Sequence, residues 1–199
     1  MYVSRVVLAA IVLLLAASAW SGESEKGLLA FSSNEYEKAL EIWQPLAEAG
    51  DAESQYGLGM MYGNGFGVAM DDALALKWYA SAAEQGHPGA QCNLAVMHQN
   101  GWGVPLNEEE AVRLFTLAAE QGVSEAMIAL GRHFAMDFSE AYDPVEAYKW
   151  FSLAALQEDI DAVAKRATIA EKLTPDQIAE GEAMVELWAS GHTGLLAKD

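Results

Sequence analysis

Residues Gln85 to Val104 read QGHPGAQCNLAVMHQNGWGV, and most of that stretch stands 36 positions earlier as AGDAESQYGLGMMYGNGFGV, Ala49 to Val68. Self-similarity at a period of about 20 to 50 residues marks a chain of stacked units, none of which buries its apolar face alone. Steps of 36 run far beyond the quoted stretch: Gly50, Gly86 and Gly122 fall in phase, as do Leu58, Leu94 and Leu130, and Ala39, Ala75, Ala111 and Ala147. The series Ala47, Ala83, Ala119, Ala155 and Trp43, Tyr79, Phe115, Phe151 add a small and an aromatic position. Small residues let one helix backbone approach another while a neighbouring ring fills the gap, so this alternation at helical spacing predicts packed helix pairs.

The punctuation agrees with a helix, a turn and a second helix in each unit. Asp71, Asn107 and Asp143 lie 36 apart as N-caps of the second helix, with Glu110 and Glu146 placed to complete capping boxes and Pro144 at the first helical position. Gly50, Gly86 and Gly122 follow helix ends, where a left-handed residue closes the last turn. Asn64 to Val68 and Asn100 to Val104 carry the paired glycines of a tight connection, a pair that Asp137-Phe138-Ser139 replaces in the third unit.

Taken together, Ala52 to Gly86 carry the pattern A-x-x-x-x-x-L-G-x-x-Y-x-x-G-x-G-V…D-x-x-x-A-x-x-W-Y-x-x-A-A-x-Q-G, which resembles the Sel1-like repeat, a relative of the tetratricopeptide repeat. The resemblance covers about Asn34 to Leu156 and implies an all-α fold, a right-handed α/α solenoid of helix-turn-helix repeats that mediates protein contacts in bacterial envelope or secreted proteins. Three full repeats follow at 51–86, 87–122 and 123–158. Residues 20–50 read as an N-terminal half-unit, irregular at first and then helical from about Asn34, with a kink expected at Pro45. Residues 159–199 read as a degenerate C-terminal capping unit in which Arg166 stands where Leu130 predicts an apolar residue. Its last helix starts at the capping box Thr174-Pro175-Asp176-Gln177.

Residues 1–19 read as a secretory signal peptide, with Arg5 before the uncharged run Val6 to Ala17 and an A-x-A site at Ala17-Ser18-Ala19. The expectation is cleavage before Trp20, export to the periplasm or the medium, and no membrane insertion afterwards. A composition with 52% hydrophobic and 20% charged residues supports a sizeable core, whereas a net charge of −18 argues against a nucleic-acid backbone or an anionic membrane as partner. That acidity serves solubility of an Ala-rich stack.

No catalytic motif is present, and no cofactor or metal site is implied. His87, His98, His133 and His192 lack metal-ligand spacing among themselves and with Cys92, the single cysteine, which also excludes an intramolecular disulfide. Some Sel1-like proteins are disulfide-rich and linked to β-lactam binding or hydrolysis; a hydrolase of that kind and a structural assembly subunit are the alternatives to a non-enzymatic scaffold that binds a protein or peptide. In tetratricopeptide-like solenoids the first helices line the concave face, so the resemblance implies a binding stripe of Tyr56, Met60 and Asn64, then Cys92, Val96 and Asn100, then Ile128, Arg132 and Met136. Arg132 would face an acidic or carboxylate group of the partner. A tight superhelix would instead pack the same positions as core.

Overall fold

The structure, a computed structural model, describes residues 22–137 and 139–192. The expected signal peptide lies outside the described residues. Among the described residues every regular element is a helix, and the helices group into two bodies, one ending at Leu106 and the other starting at Asn107.

The N-terminal body contains α1 (22–32), α2 (Tyr36–Glu48), α3 (Ala52–Asn64), α4 (Asp72–Glu84) and α5 (Pro88–Asn100), with α2 packed on α3, α3 on α4 and α4 on α5. The segment expected to be irregular is the regular helix α1. It departs from the Leu and Gly of the later repeats, yet Ser24, Gly27 and Ala30 give it a small, buried face against the Trp43 ring. The indole Nε1 of Trp43 donates to the Ser24 carbonyl at 3.2 Å. With Trp43 almost fully enclosed, truncation to alanine would cost about 3–5 kcal/mol. Helix α2 runs on through Pro45 to Glu48.

The C-terminal body contains α6 (Glu108–Glu120), α7 (Ser124–Phe134), α8 (Pro144–Leu156), α9 (Ile160–Ala170) and α10 (Pro175–Gly191). Successive helices α6 to α9 pack on one another, whereas α10 packs on α8. Gly181 of α10 meets the Tyr148 ring, where an added Cβ would lie 2.7 Å from a ring carbon.

The helix starts are fixed by caps at two in-phase series. At the second helices, Asp71, Asn107 and Asp143 accept from the backbone amides of Leu74, Glu110 and Glu146. Glu110 and Glu146 do not complete reciprocal boxes: their carboxylates pair with Arg113 and Lys149, one helical turn on. At the first helices Asp51, His87 and Asp159 cap α3, α5 and α9, while Val123, in the same phase, offers no acceptor. Thr174 and Gln177 do form the full capping box at α10.

Small residues meet rings as the periodicity requires. A Cβ on Gly59 would sit 2.5 Å from the Tyr79 ring, and one on Gly131 would sit 2.5 Å from the Phe151 ring. The left-handed positions also hold, with φ of 100°, 86° and 87° at Gly50, Gly86 and Gly122. Glu158, the next in phase, keeps that conformation at φ 65° without being glycine, a strain of about 1–2 kcal/mol.

The Gly-x-Gly connections have a packing role as well as a conformational one. Gly67 lies against Tyr36 and Gly103 against the carbonyl of Asp72, each at the first residue of the preceding second helix. In the third repeat α7 stops two residues earlier than α3 and α5 do and ends on Ala135 in a right-handed conformation. The connection still closes with the amide of Asp143 donating to the Phe134 carbonyl at 2.9 Å, the counterpart of Asp71 donating to Tyr62.

A candidate partner-binding surface on the N-terminal body

Four of the nine stripe positions are turned into or onto the protein rather than standing open. Cys92 and Ile128 are each only 8% exposed, packed within their helices. Tyr56 is half-buried, its ring stacked 4.4 Å from that of His87. Arg132 is exposed but bound to Asp161 at 3.3 Å, so a partner carboxylate would have to compete with that pair. Met60, Val96 and Met136 are half-buried, and Asn64 and Asn100 are exposed. Both asparagines donate their amide nitrogens to carbonyls one turn back, Met60 at 2.9 Å and Val96 at 2.8 Å, leaving the amide oxygens as acceptors.

Asn64 and Val96 come together in one cavity of about 130 Å³ between α3, α4 and α5. Its other walls were not legible in the repeat pattern: Asp72 and Tyr79 of α4, Asn93 of α5, and Trp102 of the following connection. The approach of Gly103 to Asp72 brings that connection down on the start of α4 and sets Trp102 beside the cavity. Phe66, one period earlier, packs its ring against Phe31 and Tyr36, whereas Trp102 is 52% exposed. The sequence shows only that an aromatic ring recurs at this place, Phe66 and then Trp102.

The cavity is apolar and amide-lined with one carboxylate, Asp72. Burial holds the Tyr79 phenol well above its usual range, the nearby Tyr56 adds to that, and a hydrogen bond with Asn93 opposes it. Tyr79 therefore remains a neutral hydroxyl at physiological pH, able to order an amide but not to act as a base. Met70 and Leu106, in phase with each other on the two connections, are also mostly exposed. An exposed indole beside a cavity with amide acceptors suits contact with a polypeptide. Among the described residues no cluster of His, Cys, Asp or Glu could hold a metal ion, and no helix is long and apolar enough to cross a membrane.

Architecture and caps define an all-α repeat protein of helix-turn-helix units. A profile of the Sel1 repeat matches residues 23–51, 52–87, 88–123 and 124–159, and the chain belongs to the Sel1 repeat family. The first match falls on the segment read from sequence as a half-unit. Among solved structures, a Sel1 repeat protein from Oxalobacter formigenes is similar at 25% identity and a TM-score of 0.70, over 85% of this chain and 70% of that one. The protective antigen c5321 of uropathogenic Escherichia coli, described as displaying an SLR fold, is similar at 25% identity and a TM-score of 0.56. That similarity covers 89% of this chain and 47% of the antigen. No curated protein matches the chain.

Proposed function

We propose that the protein is an exported, non-catalytic scaffold that binds a protein or peptide partner in the cell envelope or outside it, through the face of the N-terminal body around Trp102. The observation that carries this reading is the exposed indole at the mouth of the α3–α5 cavity, where its repeat counterpart Phe66 is packed. Aromatic anchors beside a pocket supply most of the energy of many protein interfaces, commonly about 2 kcal/mol or more each. Here Asn64 and Asn93 would take the backbone of an extended segment while Trp102 covers one of its side chains. Family membership supports the scaffold reading, since Sel1 repeats commonly mediate protein contacts. Export rests on the signal-like residues 1–19.

The test is capture of the partner from envelope extract with wild type, Trp102→Ala and Leu106→Ser as bait. A protein held by wild type and lost from both variants, with helical circular dichroism unchanged, is the expected result. Equal capture by folded variants would move the site off this face.

A further inference from the structure

Arg166 stands one period after Leu130, two after Leu94 and three after Leu58, and all three leucines are buried. At this leucine position α9 carries a partly buried guanidinium with no carboxylate of the described residues at ion-pair distance. Every other cation among the described residues has an acidic partner or, for Lys77, lies over the Trp78 ring. In a chain of net charge −18 an unpaired arginine in a core position is the exception to be explained.

The guanidinium lines a cavity of about 230 Å³ formed by α8, α9 and α10. Ser152 of α8 lines it too, is more than nine-tenths buried, and its hydroxyl has no hydrogen-bond partner. Ser81, Thr116 and Thr168 satisfy their hydroxyls by donating one turn back, whereas Ser152, like Ser124 of α7, has no such bond. Opposite, the exposed Glu182 and Glu186 stand one turn apart on α10, neither of them in an ion pair among the described residues. Tyr148 and Leu156, one turn to either side of Ser152, make the apolar wall.

We propose that this cavity binds a single free α-amino acid as its zwitterion. Arg166 takes the carboxylate through its planar fork. Glu182 and Glu186 hold the ammonium, and the side chain lies against Tyr148 and Leu156. A simple anion is disfavoured by the two glutamates and a simple amine by the arginine, whereas an α-amino acid carries both charges on adjacent atoms. The volume is below the roughly 300–1,000 Å³ of pockets for larger ligands, which limits the occupant to about one residue.

The twenty L-amino acids, screened singly against the full chain by thermal shift and followed by calorimetry on the strongest, test this. At least one should bind saturably in the millimolar range or below, with propionate and propylamine each weaker by about tenfold or more. Arg166→Gln and the pair Glu182→Gln with Glu186→Gln should each abolish that binding, both with unchanged circular dichroism. Should Arg166→Gln lose helicity, Arg166→Lys retains the charge without the fork and should weaken binding while staying folded. The proposal is overturned by absence of saturable binding for all twenty, by propionate binding as tightly as the best amino acid, or by binding that survives in folded Arg166→Gln. It is equally overturned if a double-mutant cycle shows Arg166 and the glutamates stabilising one another in the free protein, since the cavity would then neutralise itself.

Discussion

Replacing Gly103 with alanine should destabilise the N-terminal body far more than the same replacement at Gly101. Both glycines are left-handed, at φ 66° and 72°, so both substitutions incur a strain of about 1–2 kcal/mol, partly offset by about 0.4–1 kcal/mol from a stiffer unfolded chain. The surroundings separate them. A Cβ at Gly101 meets its nearest neighbours at 3.7 Å, an ordinary contact. At Gly103 it would lie 2.8 Å from the carbonyl oxygen of Asp72 and 3.0 Å from its carbonyl carbon. That backbone belongs to the first turn of α4, fixed by the Asp71 cap at 2.9 Å, and cannot rotate away as a side-chain tip would. Relief must lift the connection off α4, adding about 1–3 kcal/mol. The expected losses are below about 1.5 kcal/mol for Gly101→Ala and about 2–4 kcal/mol for Gly103→Ala. Urea titration followed by tryptophan fluorescence, with hydrogen exchange on peptides from the start of α4, measures both. Equal midpoints, or unchanged exchange at α4 in Gly103→Ala, would refute the docking of the connection on that helix.

Glu158→Gly should raise stability by about 1 kcal/mol in the same titration, because glycine adopts the left-handed conformation at residue 158 without strain. Gln157→Ala should cost about 0.5–1.5 kcal/mol through loss of the 3.0 Å bond to the Gly122 carbonyl, visible as faster exchange at the α6–α7 turn. The His87 hydrogen bond is the main cause holding the Glu53 carboxyl below its ordinary value, with burial opposing and the His87 charge assisting. A depressed carboxyl pKa contributes stability that is present above the unfolded value and lost as pH falls through the folded one. Glu53→Gln should therefore lower the melting temperature slightly at neutral and alkaline pH and shrink its further loss on the acid side. The effect is small because the carboxylate is half exposed.

The architecture was legible because its determinants are local and repeated. Asp71, Asn107 and Asp143 cap their helices, and Gly50, Gly86 and Gly122 take left-handed φ. Regularity at α1 was hidden because Ser24, Gly27 and Ala30 solve the same packing problem with other residues. The binding surface was only partly visible. Helical spacing placed Asn64 and Val96 on one face but could not distinguish an open position from Cys92 or Ile128, because that depends on how far each neighbouring helix leans over the first. Trp102 and Asp72 reach the cavity through a contact between a connection and a helix start thirty residues earlier, which no single-repeat pattern encodes. Arg132 was singled out as the stripe's positive charge, and its pairing with Asp161 of α9, the first helix of the following unit, lay outside the stripe.

The measurement that bears most directly on the scaffold reading is photo-crosslinking in the native envelope, with a photoreactive residue placed at Trp102 and, as a control, at the exposed Glu84 where α4 ends. A discrete protein adduct formed from position 102 and absent from position 84 is the expected result. No adduct at 102, or the same adducts from both positions, would contradict a partner seated on this face.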